Sequence, residues 1–519
     1  MAVWVRSAGT SRADWLTKVQ AHRELPPGVS EPGSGAAANT APRAAMRGVI
    51  GQKSAEAIVA GGNGEGPNTK AQGGAVSHSR TVSNPDGGAA AGRGLMQPAL
   101  HDQLMERIVA PDNMHRAWRR VKANKGKPGS DGMPLEAFPA FAREHWATIR
   151  EQLLDGSYRP QPVRRVMIPK RGGGERPLGI PNVLDRLIQQ AIAQILGPIF
   201  DAGFSASSFG FRPHCSAHGA LRQVQAYVKV GFRIAVDLDL AKFFDNVDHD
   251  ILMARVAAKV RDKKLLALIG AYLRAGAMVG EEFQPSELGT PQGGPASPLL
   301  ANILLDDLDR ELERRGLRFA RYADDLVILV KSQTAGQRVK RSVTAFLARR
   351  LKLPVNEHKS KVAPISECVF LGFSFRGTKL RWSHRAFEDF KHRVRELTGR
   401  SWGVSMSHRL AKLAQYVRGW MGYFGISQYY QPIPELDEWL RRRVRMCYWK
   451  QWRRPRTKVR RLLALGTDLR SAIRAAMSRK GYWHLARSLA TQVGMTNRWL
   501  QQQGLISIRD LWMKAQGYT

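Results

Sequence analysis

The sequence predicts an α+β protein in which a body of mixed helices and strands is followed by a basic helical region. From about residue 98 onward, helical and strand patterns alternate and are separated by glycine-rich turns. After about Arg385 the sequence becomes helix-forming, rich in tryptophan and strongly basic. We therefore expect a structural boundary near residue 384.

The composition is that of a folded protein with an unusual charge. The 519 residues are 43% hydrophobic and 24% charged, which excludes a disulfide-rich scaffold, a collagen and a wholly disordered chain. Lys and Arg number 81 against 43 Asp and Glu, so the net charge is +38. Such an excess of positive charge predicts a polyanionic partner, with nucleic acid as the first candidate.

Cysteine content and hydropathy indicate where the protein resides. No uncharged apolar run approaches the roughly 18 residues of a membrane span, and no secretory signal opens the chain. Cys215, Cys368 and Cys447 are far apart, which favours a reducing compartment and argues against a zinc cluster. We expect a protein of the bacterial cytoplasm or nucleoid without a membrane partner, and any metal should be held by oxygen ligands.

Residues 1–97 have the composition of a low-complexity extension. The first 96 residues contain 16 of the 49 glycines and show no hydrophobic period. Such a segment buries too little apolar surface to offset its ordering entropy, so we expect disorder. A misassigned start codon, with Met96 opening the protein, is the alternative; scattered acidic residues disfavour a transit peptide.

Two acidic strand elements carry the clearest chemical signal. Apolar residues alternate along 232–240 and leave Asp237 and Asp239 on one strand face. Asp324 and Asp325 lie at the turn of a second predicted element, a hairpin over 317–330. Carboxylate oxygens are ligands that Mg²⁺ selects, so the pattern predicts a pair of divalent cations and phosphoryl-transfer chemistry.

A basic run near the end of the chain predicts a nucleic-acid interface. Residues 441–461 carry eleven Arg and Lys and no acid, interleaved with Tyr448, Trp449 and Trp452. Cations neutralise phosphates and flat rings stack on bases, although a solvated helical face is the alternative. The candidate contacts are Arg441, Arg442, Arg443, Lys450, Arg453 and Arg454.

Several motifs occur in the order typical of one known family. Tyr322-Ala323-Asp324-Asp325 is the Tyr-x-Asp-Asp box of reverse transcriptases, and Asp239, followed five residues later by Phe244, resembles their first catalytic motif. Further matching stretches are Arg176–Pro181, Ser208–Pro213, Gly289–Gly294 running into Ser297–Asn302, and Phe370–Phe373. Over about residues 98–519 the chain resembles group II intron-encoded reverse transcriptases/maturases.

This resemblance implies a right-hand polymerase fold. Fingers and palm, with an antiparallel palm sheet, would occupy 98–384. A helical thumb, or X (maturase) domain, would follow at 385–440 and include the apolar stripe Leu410, Leu413, Val417 and Met421. A basic, maturase-associated DNA-binding region would occupy 441–519. A His-Asn-His endonuclease is expected to be absent, since no cysteine pair follows Arg385, so the primer would be an existing 3′ end.

The resemblance also implies an activity and its partners. The chain would copy intron RNA into DNA by adding dNTPs to a primer 3′-hydroxyl, using two Mg²⁺ ions for which Mn²⁺ could substitute. It would also bind group II intron RNA to assist splicing, and would bind the RNA template–DNA primer and target DNA. The alternatives are a polymerase-inactive splicing factor and a domesticated reverse transcriptase of a retron, diversity-generating or defence system.

Catalytic roles follow from the matched positions. Asp239 and Asp324 would ligate the metals, Asp325 would belong to the same cluster, and the Leu240 carbonyl would be a further ligand. Asp237 shares the strand face of Asp239 but lacks the aromatic at the family spacing, so it is the less favoured ligand. Lys359 resembles the lysine that protonates departing pyrophosphate in the family.

The remaining motif residues would contact the nucleotide or the primer. Phe244 would exclude a ribose 2′-hydroxyl or would be a core residue, and Gln292 would bind the sugar or would be a turn residue. Lys170 and Arg176 would hold the triphosphate unless they are solvated turn charges. Phe370-Leu-Gly-Phe373 would form the primer grip. Metal binding by the group His214, Cys215 and His218 is disfavoured.

Overall fold

The computed structural model describes residues 103–169, 174–280 and 282–518. The predicted disordered extension at 1–97 and the nucleotide-binding candidate Lys170 lie outside these residues. Within the described ranges, no helix combines the length and apolar character needed to cross a lipid bilayer.

The strands belong to two four-stranded sheets and a separate hairpin. In chain order they are β1 (Val163–Pro169), β2 (Glu175–Ile180), β3 (Ile234–Leu238), β4 (Ala277–Val279), β5 (Glu282–Gln284), β6 (Arg318–Tyr322), β7 (Asp325–Val330), β8 (Lys361–Pro364), β9 (Phe373–Arg376) and β10 (Lys379–Trp382).

Helices surround the sheets and form the whole C-terminal region. Those before the last strand are α1 (Leu104–Ile108), α2 (Pro111–Ala123), α3 (Phe138–Asp155), α4 (Val183–Asp201), α5 (Ala217–Lys229), α6 (His249–Ala257), α7 (Lys263–Arg274), α8 (Ser297–Arg314) and α9 (Gln333–Phe346). Those after it are α10 (His384–Leu397), α11 (Met406–Phe424), α12 (Pro432–Gln451), α13 (Pro455–Ala464), α14 (Leu469–Met477), α15 (Tyr482–Leu485), α16 (Leu489–Gly494), α17 (Asn497–Gln502) and α18 (Ile508–Ala515).

Side-chain caps fix where many of these helices begin. The Oγ of Ser216 accepts the N–H of Gly219 at the start of α5, and Ser332 and Ser383 cap α9 and α10 in the same way. Asp248 and Asp262 do so for α6 and α7. Each cap satisfies an amide that the first helical turn leaves without a partner.

The first sheet, in the order β2-β1-β4-β5, forms the fingers. β1 and β2 are an antiparallel hairpin whose register pairs Pro169 with Glu175. β1 also pairs with β4 in parallel, and β4 pairs with β5 in antiparallel. The two strands that flank the glycine-rich turn, β1 and β2, therefore form the predicted hairpin.

The second sheet, in the order β6-β7-β3-β8, is the palm, and all its pairs are antiparallel. This arrangement confirms the predicted antiparallel palm sheet. Val236 and Leu238 face a core shared with α8 and α9, while Ala235 faces α5 and the β9–β10 hairpin. Helices α8 and α9 cover one face of the sheet, and α5 with the β9–β10 hairpin covers the other. Successive residues of β3 are therefore buried on opposite sides.

The C-terminal helices share one apolar core that extends from Trp382 to Trp512. The stripe of Leu410, Leu413, Val417 and Met421 is buried on α11, as its spacing predicts. The predicted boundary at 440/441 falls inside α12, whose buried residues lie on both sides of it. The region 385–518 therefore packs as a continuous helical unit.

The rings of the basic run do not lie where base stacking requires. Trp449, Trp452 and Tyr448 all face this core, and Trp449 is completely buried. The prediction that they stack on bases is therefore wrong for this structure. Tyr448 and Trp449 near the end of α12, and Trp452 directly after it, face inward. Burying such large apolar rings is more favourable than exposing them to water beside the arginines.

Candidate active site

The register of the palm sheet brings the predicted metal ligands together. Leu238, the last residue of β3, pairs with Leu326 of β7, so Asp239, which follows β3, lies at the same end of the sheet as Asp325. Asp324 occupies the two-residue turn between β6 and β7, because Tyr322 pairs with Asp325. Carboxylates from two distant parts of the sequence, Asp239 and the neighbours Asp324 and Asp325, thus lie at the same end of the two central palm strands.

Asp239 is held by the chain that leads into β8. Its backbone N–H donates to the Oγ of Ser360 at 3.0 Å, and its carbonyl accepts the N–H of Asn356 at 2.8 Å. Leu240, the proposed further ligand, forms an isolated antiparallel bridge with Val355. The Nζ of Lys359 lies 3.5 Å from the Oδ2 of Asp239. Lys359 therefore serves as a counter-ion to the principal carboxylate.

The turn that carries Asp324 has an unusual backbone. Ala323 has a φ of 58°, in the left-handed region that non-glycine residues rarely adopt. Its carbonyl accepts a hydrogen bond from the Nη1 of Arg321 at 2.9 Å. A Cβ built on Gly210 would lie 2.3 Å from the Ala323 nitrogen, so only glycine permits this loop to approach the turn.

The carboxylates perturb one another electrostatically. Burial raises the pKa of Asp324, Asp239 raises it further, and Arg176 and Arg321 oppose the change. Asp325 is exposed in part, yet loss of water around its carboxylate raises its pKa to about 7, with Asp324, Asp237 and Asp239 adding to the effect. Crowded carboxylates of this kind release their repulsion when a cation binds between them.

The donor set fits a hard divalent cation in charge and in atom type. It consists of carboxylate oxygens. Within the described ranges, no group of three or more His, Cys, Asp or Glu side chains is arranged to hold a metal ion. A cation at this end of the strands would therefore need further oxygen ligands from outside the protein.

Asp237 has a different environment from Asp239. It pairs in register with Val327 on one side and Lys361 on the other, and it is half-buried. Burial raises its pKa, Lys361 opposes the shift, and Asp239 reinforces it. A basic neighbour directly across the sheet supports the alternative of a charge-balanced strand acid.

Phe244, in the short 3₁₀ helix Phe243–Asp245, is hydrogen-bonded to the loop that carries Gln292. The carbonyl of Phe244 accepts the N–H of Thr290 at 2.7 Å, and the carbonyl of Gln292 accepts the N–H of Gly179 at 2.8 Å. The glycine-rich loop thus connects the palm to strand β2 of the fingers. Gly293, with a φ of 128°, lies where a Cβ would meet the Gly179 carbonyl at 2.4 Å.

Arg176 lies on β2, is exposed, and lowers the pKa of Asp324 by its charge. The charge of Arg176 in the fingers therefore acts on Asp324 in the palm, which is consistent with the predicted contact of Arg176 with the triphosphate. Lys170, its predicted companion, is outside the described residues.

The predicted primer grip packs against the thumb. Phe373 contacts Phe424 of α11 with ring centroids 5.2 Å apart, and the Tyr423 hydroxyl donates to the carbonyl of Leu371 at 2.9 Å. His218, from the histidine–cysteine group, has its Nε2 2.8 Å from the carbonyl of Tyr423. His218 thus contributes to the contact between palm and thumb.

The six basic candidates fall into two groups. Lys450, Arg453 and Arg454 are exposed. Arg441 pairs with Asp437, Arg442 donates to the Trp483 carbonyl, and Arg443 donates to the Thr398 hydroxyl. The first group is accessible to phosphate, although the Nζ of Lys450 also lies 5.1 Å from the centre of the Tyr482 ring. The second group already serves the internal packing of the C-terminal unit.

The structure also shows residues that the sequence analysis did not select. Arg321 and Asp309 form a buried ion pair behind the catalytic turn, and Ser360 anchors Asp239. The strand period indicates one of these residues, Arg321. It lies two residues after the buried Phe319, so it occupies a core-facing strand position. A charged residue at such a position indicates a structural or functional requirement.

A palm sheet with this aspartate cluster, joined to a fingers hairpin and a helical thumb, defines a template-directed nucleic-acid polymerase. Residues 168–375 match the family model for reverse transcriptase (RNA-dependent DNA polymerase), and residues 387–465 match the group II intron, maturase-specific domain. The chain belongs to the group II intron-encoded reverse transcriptases/maturases. This confirms the predicted family, fold class and enzyme class.

Individual relatives agree with this placement. The chain is 32% identical over 324 residues to Protein YkfC of Escherichia coli (strain K12), covering 54% of this chain and 84% of YkfC. It is 31% identical over 340 residues to Group II intron-encoded protein LtrA of Lactococcus lactis subsp. cremoris, covering 53% of this chain and 56% of LtrA. The chain thus spans little more than half the length of LtrA.

A solved structure, the partial Cas6-RT-Cas1--Cas2 complex, is 26% identical to this chain. The match covers 47% of this chain and 42% of that one, with a TM-score of 0.32. The overlap is too slight to bear on function, which rests on the sequence matches and the site itself.

Proposed function

We propose that this chain extends a DNA primer on an RNA template by Mg²⁺-dependent addition of dNTPs, and that it also binds its intron RNA to assist splicing. The observation that carries the proposal is that Asp239, Asp324 and Asp325 lie at the same end of the two central palm strands. The maturase-specific family match supports the second role.

Asp239 and Asp324 are the proposed metal ligands, with Asp325 in the same cluster and the Leu240 carbonyl as a further ligand. Two Mg²⁺ ions, when bound, would activate the primer 3′-hydroxyl and stabilise the departing pyrophosphate. Mn²⁺, which also prefers oxygen ligands, would substitute. Burial first, and neighbouring carboxylates second, raise the pKa of Asp324 and Asp325. The repulsion between the carboxylates supports the proposal, because a bound cation would relieve it.

The reaction forms a bond between the primer 3′-oxygen and the α-phosphorus and breaks the bond from that phosphorus to the β-phosphate. The 3′-hydroxyl loses a proton, and pyrophosphate gains one as it leaves. Lys359 is the proposed donor of that proton, and its place beside Asp239 supports a position near the reacting phosphates.

Three residues are proposed to hold the incoming nucleotide. Arg176 and Lys170 would bind the triphosphate, and Gln292 would hydrogen-bond the sugar. Phe244 would occupy the space of a 2′-hydroxyl and so favour deoxynucleotides. The hydrogen bonds that link the Phe244 carbonyl to Thr290 and the Gln292 carbonyl to Gly179 support a shared location between palm and fingers.

The nucleic-acid partners would be the RNA template–DNA primer, the group II intron RNA and target DNA. The net charge of +38 supports polyanion binding. Lys450, Arg453 and Arg454 are the preferred contacts because they are exposed, while Arg441, Arg442 and Arg443 would contribute only after giving up internal partners.

Primer extension on an annealed RNA template, with dNTPs and Mg²⁺, tests the polymerase role. We expect the parent to extend and Asp324→Ala to be inactive. Splicing of an intron precursor tests the second role, and Asp324→Ala should still support it. A parent that extends no primer would overturn the polymerase proposal, and a parent without effect on splicing would overturn the maturase proposal.

A further inference from the structure

Arg321, one residue before the Tyr-x-Asp-Asp box, is among the largest side chains that are completely buried. It is 1% exposed, and its partner Asp309 on α8 is 0% exposed. Burying a cation in this way is costly unless the charge is paired and its hydrogen-bond donors are satisfied.

All five N–H groups of the Arg321 guanidinium have acceptors. Nε donates to Asp309 Oδ1 at 2.7 Å, and Nη2 donates to Asp309 Oδ2 and to Ser208 Oγ. Nη1 donates to Asn302 Oδ1 at 3.0 Å and to the carbonyl of Ala323 at 2.9 Å. Only the planar fork of arginine offers five donors in this fixed geometry.

The hydrogen bond from Arg321 to the Ala323 carbonyl lies next to Asp324, a proposed metal ligand. The Ala323 carbonyl belongs to the peptide that joins Ala323 to Asp324, and Ala323 holds a left-handed φ of 58°. A hydrogen bond to that carbonyl restrains the rotation of the peptide from which Asp324 extends. The turn conformation, which costs free energy on its own, is thereby held by a group anchored in the core.

The loop beneath the turn is fastened by the same network. Asn302 donates to the Gly210 carbonyl at 2.8 Å, and Gly210 lies directly against the Ala323 nitrogen. The backbone of Arg321 exchanges two further hydrogen bonds with this loop, from its N–H to Ser207 and from Phe209 to its carbonyl. Helix α8, the loop and the turn therefore meet at one side chain.

We propose that Arg321 is a positioning residue for the catalytic turn: held by Asp309, it fixes the peptide preceding Asp324 so that this carboxylate is pre-placed for a divalent cation. The inference rests on the proposed function, since it assigns Asp324 to cation binding. Arg321 does not touch the substrate; it acts through the Ala323 carbonyl.

The test separates positioning from stability. Arg321→Met alone leaves Asp309 buried without its partner, so the main variant is Arg321→Met combined with Asp309→Leu. Replacing both members of a buried ion pair by apolar residues often preserves stability. Arg445→Met is the matched control: Arg445 is 6% exposed and donates to the Met495 carbonyl and Asn497, far along the chain from the catalytic turn.

Mn²⁺ binding to the full chain without nucleic acid is measured by electron paramagnetic resonance, with Asp324→Asn marking loss of the site. Thermal unfolding and the single-turnover extension rate are measured on the same proteins. We expect the double variant to unfold near the parent temperature, to bind Mn²⁺ at least about tenfold more weakly, and to extend about 100-fold more slowly, because small misplacements at a reacting centre cost rate of this order.

A double variant that unfolds like the parent and keeps its Mn²⁺ affinity and rate would overturn the inference. If the double variant does not fold, Arg321→Lys tests the inference instead, because lysine keeps the charge but supplies three donors from a single nitrogen. Weaker Mn²⁺ binding by Arg321→Lys supports positioning, and parental binding and rate overturn it. Arg445→Met should bind Mn²⁺ like the parent. A parent that neither binds Mn²⁺ nor extends would instead refute the proposed function.

Discussion

Lys359 and Asp239 form an ion pair, with the lysine Nζ 3.5 Å from the carboxylate Oδ2. Both side chains are substantially exposed, and exposed pairs contribute little to stability. The pair can therefore open when a cation takes the place of the ammonium beside Asp239. Lys359 would then be free to approach the departing pyrophosphate.

Replacing Lys359 by alanine should lower kcat about 100-fold with little change in KM for dNTP, since proton transfer acts in the transition state. Lys361→Ala is the matched control, because Lys361 lies two residues away and faces Asp237. Steady-state extension kinetics check both variants. A Lys359→Ala enzyme with parental kcat would remove Lys359 from the chemistry.

Phe244→Ala should increase ribonucleotide incorporation, because the ring would no longer occupy the space of a 2′-hydroxyl. The ratio of kcat/KM for dNTP to that for rNTP measures the effect. Phe283→Ala, which alters an exposed phenylalanine on β5, is the control. Unchanged sugar discrimination in Phe244→Ala would show that Phe244 only packs against Phe243, whose ring lies 5.1 Å away.

Two triple variants distinguish the basic groups of the C-terminal unit. Neutralising Lys450, Arg453 and Arg454 should weaken nucleic-acid binding and reduce its logarithmic salt slope by up to about three, one for each lost phosphate contact. Thermal stability should change little, because these side chains are exposed. Binding measured across a salt series checks this, and an unchanged slope would place the interface elsewhere.

Neutralising Arg441, Arg442 and Arg443 should instead lower the unfolding temperature. These arginines hold the buried residues Asp437 and Thr398 and the Trp483 carbonyl, so their loss removes hydrogen bonds that join helices of the C-terminal unit. Thermal unfolding checks the prediction. An unchanged unfolding temperature together with a reduced salt slope would show that these three bind nucleic acid.

The stability of the metal-free protein should depend on pH through Asp325. Its pKa in the folded protein is about 7, above its usual value of 3.8, so between these values the folded chain binds more protons than the unfolded chain. The stability contributed by Asp325 is therefore present at low pH and is lost as the pH rises through 7. A divalent cation opposes this loss by binding the ionised form.

We therefore expect Mg²⁺ to raise the unfolding temperature more at pH 8 than at pH 6. Asp325→Asn should be more stable than the parent at pH 8 without metal and should lose the part of the pH dependence that Asp325 contributes. Thermal unfolding of both proteins, with and without Mg²⁺, provides the measurement. Equal Mg²⁺ effects at the two pH values would contradict the assignment.

The sequence predicted the polymerase fold and its acidic strands because those features are local or periodic. Alternation around Asp239 and the hairpin at Asp324 are visible in short windows, and the Leu410–Met421 stripe follows the helical period. The order of motifs then related these segments to one family. Strand pairing itself joins distant segments and became definite only in the structure.

Other features could not be predicted because they depend on partners far away in the chain. The burial of Trp449 and the internal contacts of Arg441–Arg443 depend on how helices α10 to α18 pack, which a count of charges does not reveal. The Arg321 network joins α8, the loop at Gly210 and the catalytic turn. Composition and spacing identify the residues of such a network but do not show that they contact one another.

We propose that Asp239, rather than its neighbour Asp237, joins Asp324 and Asp325 in the catalytic site. Primer extension on an annealed RNA template distinguishes the two aspartates by comparing Asp239→Asn with Asp237→Asn at saturating dNTP and Mg²⁺. We predict that Asp239→Asn extends at less than about one hundredth of the parent rate, because a preorganised charge at the reaction centre is lost, while Asp237→Asn stays within a few-fold of the parent. A nearly parental rate for Asp239→Asn, or a loss confined to Asp237→Asn, would show that Asp239 does not bind the catalytic metal.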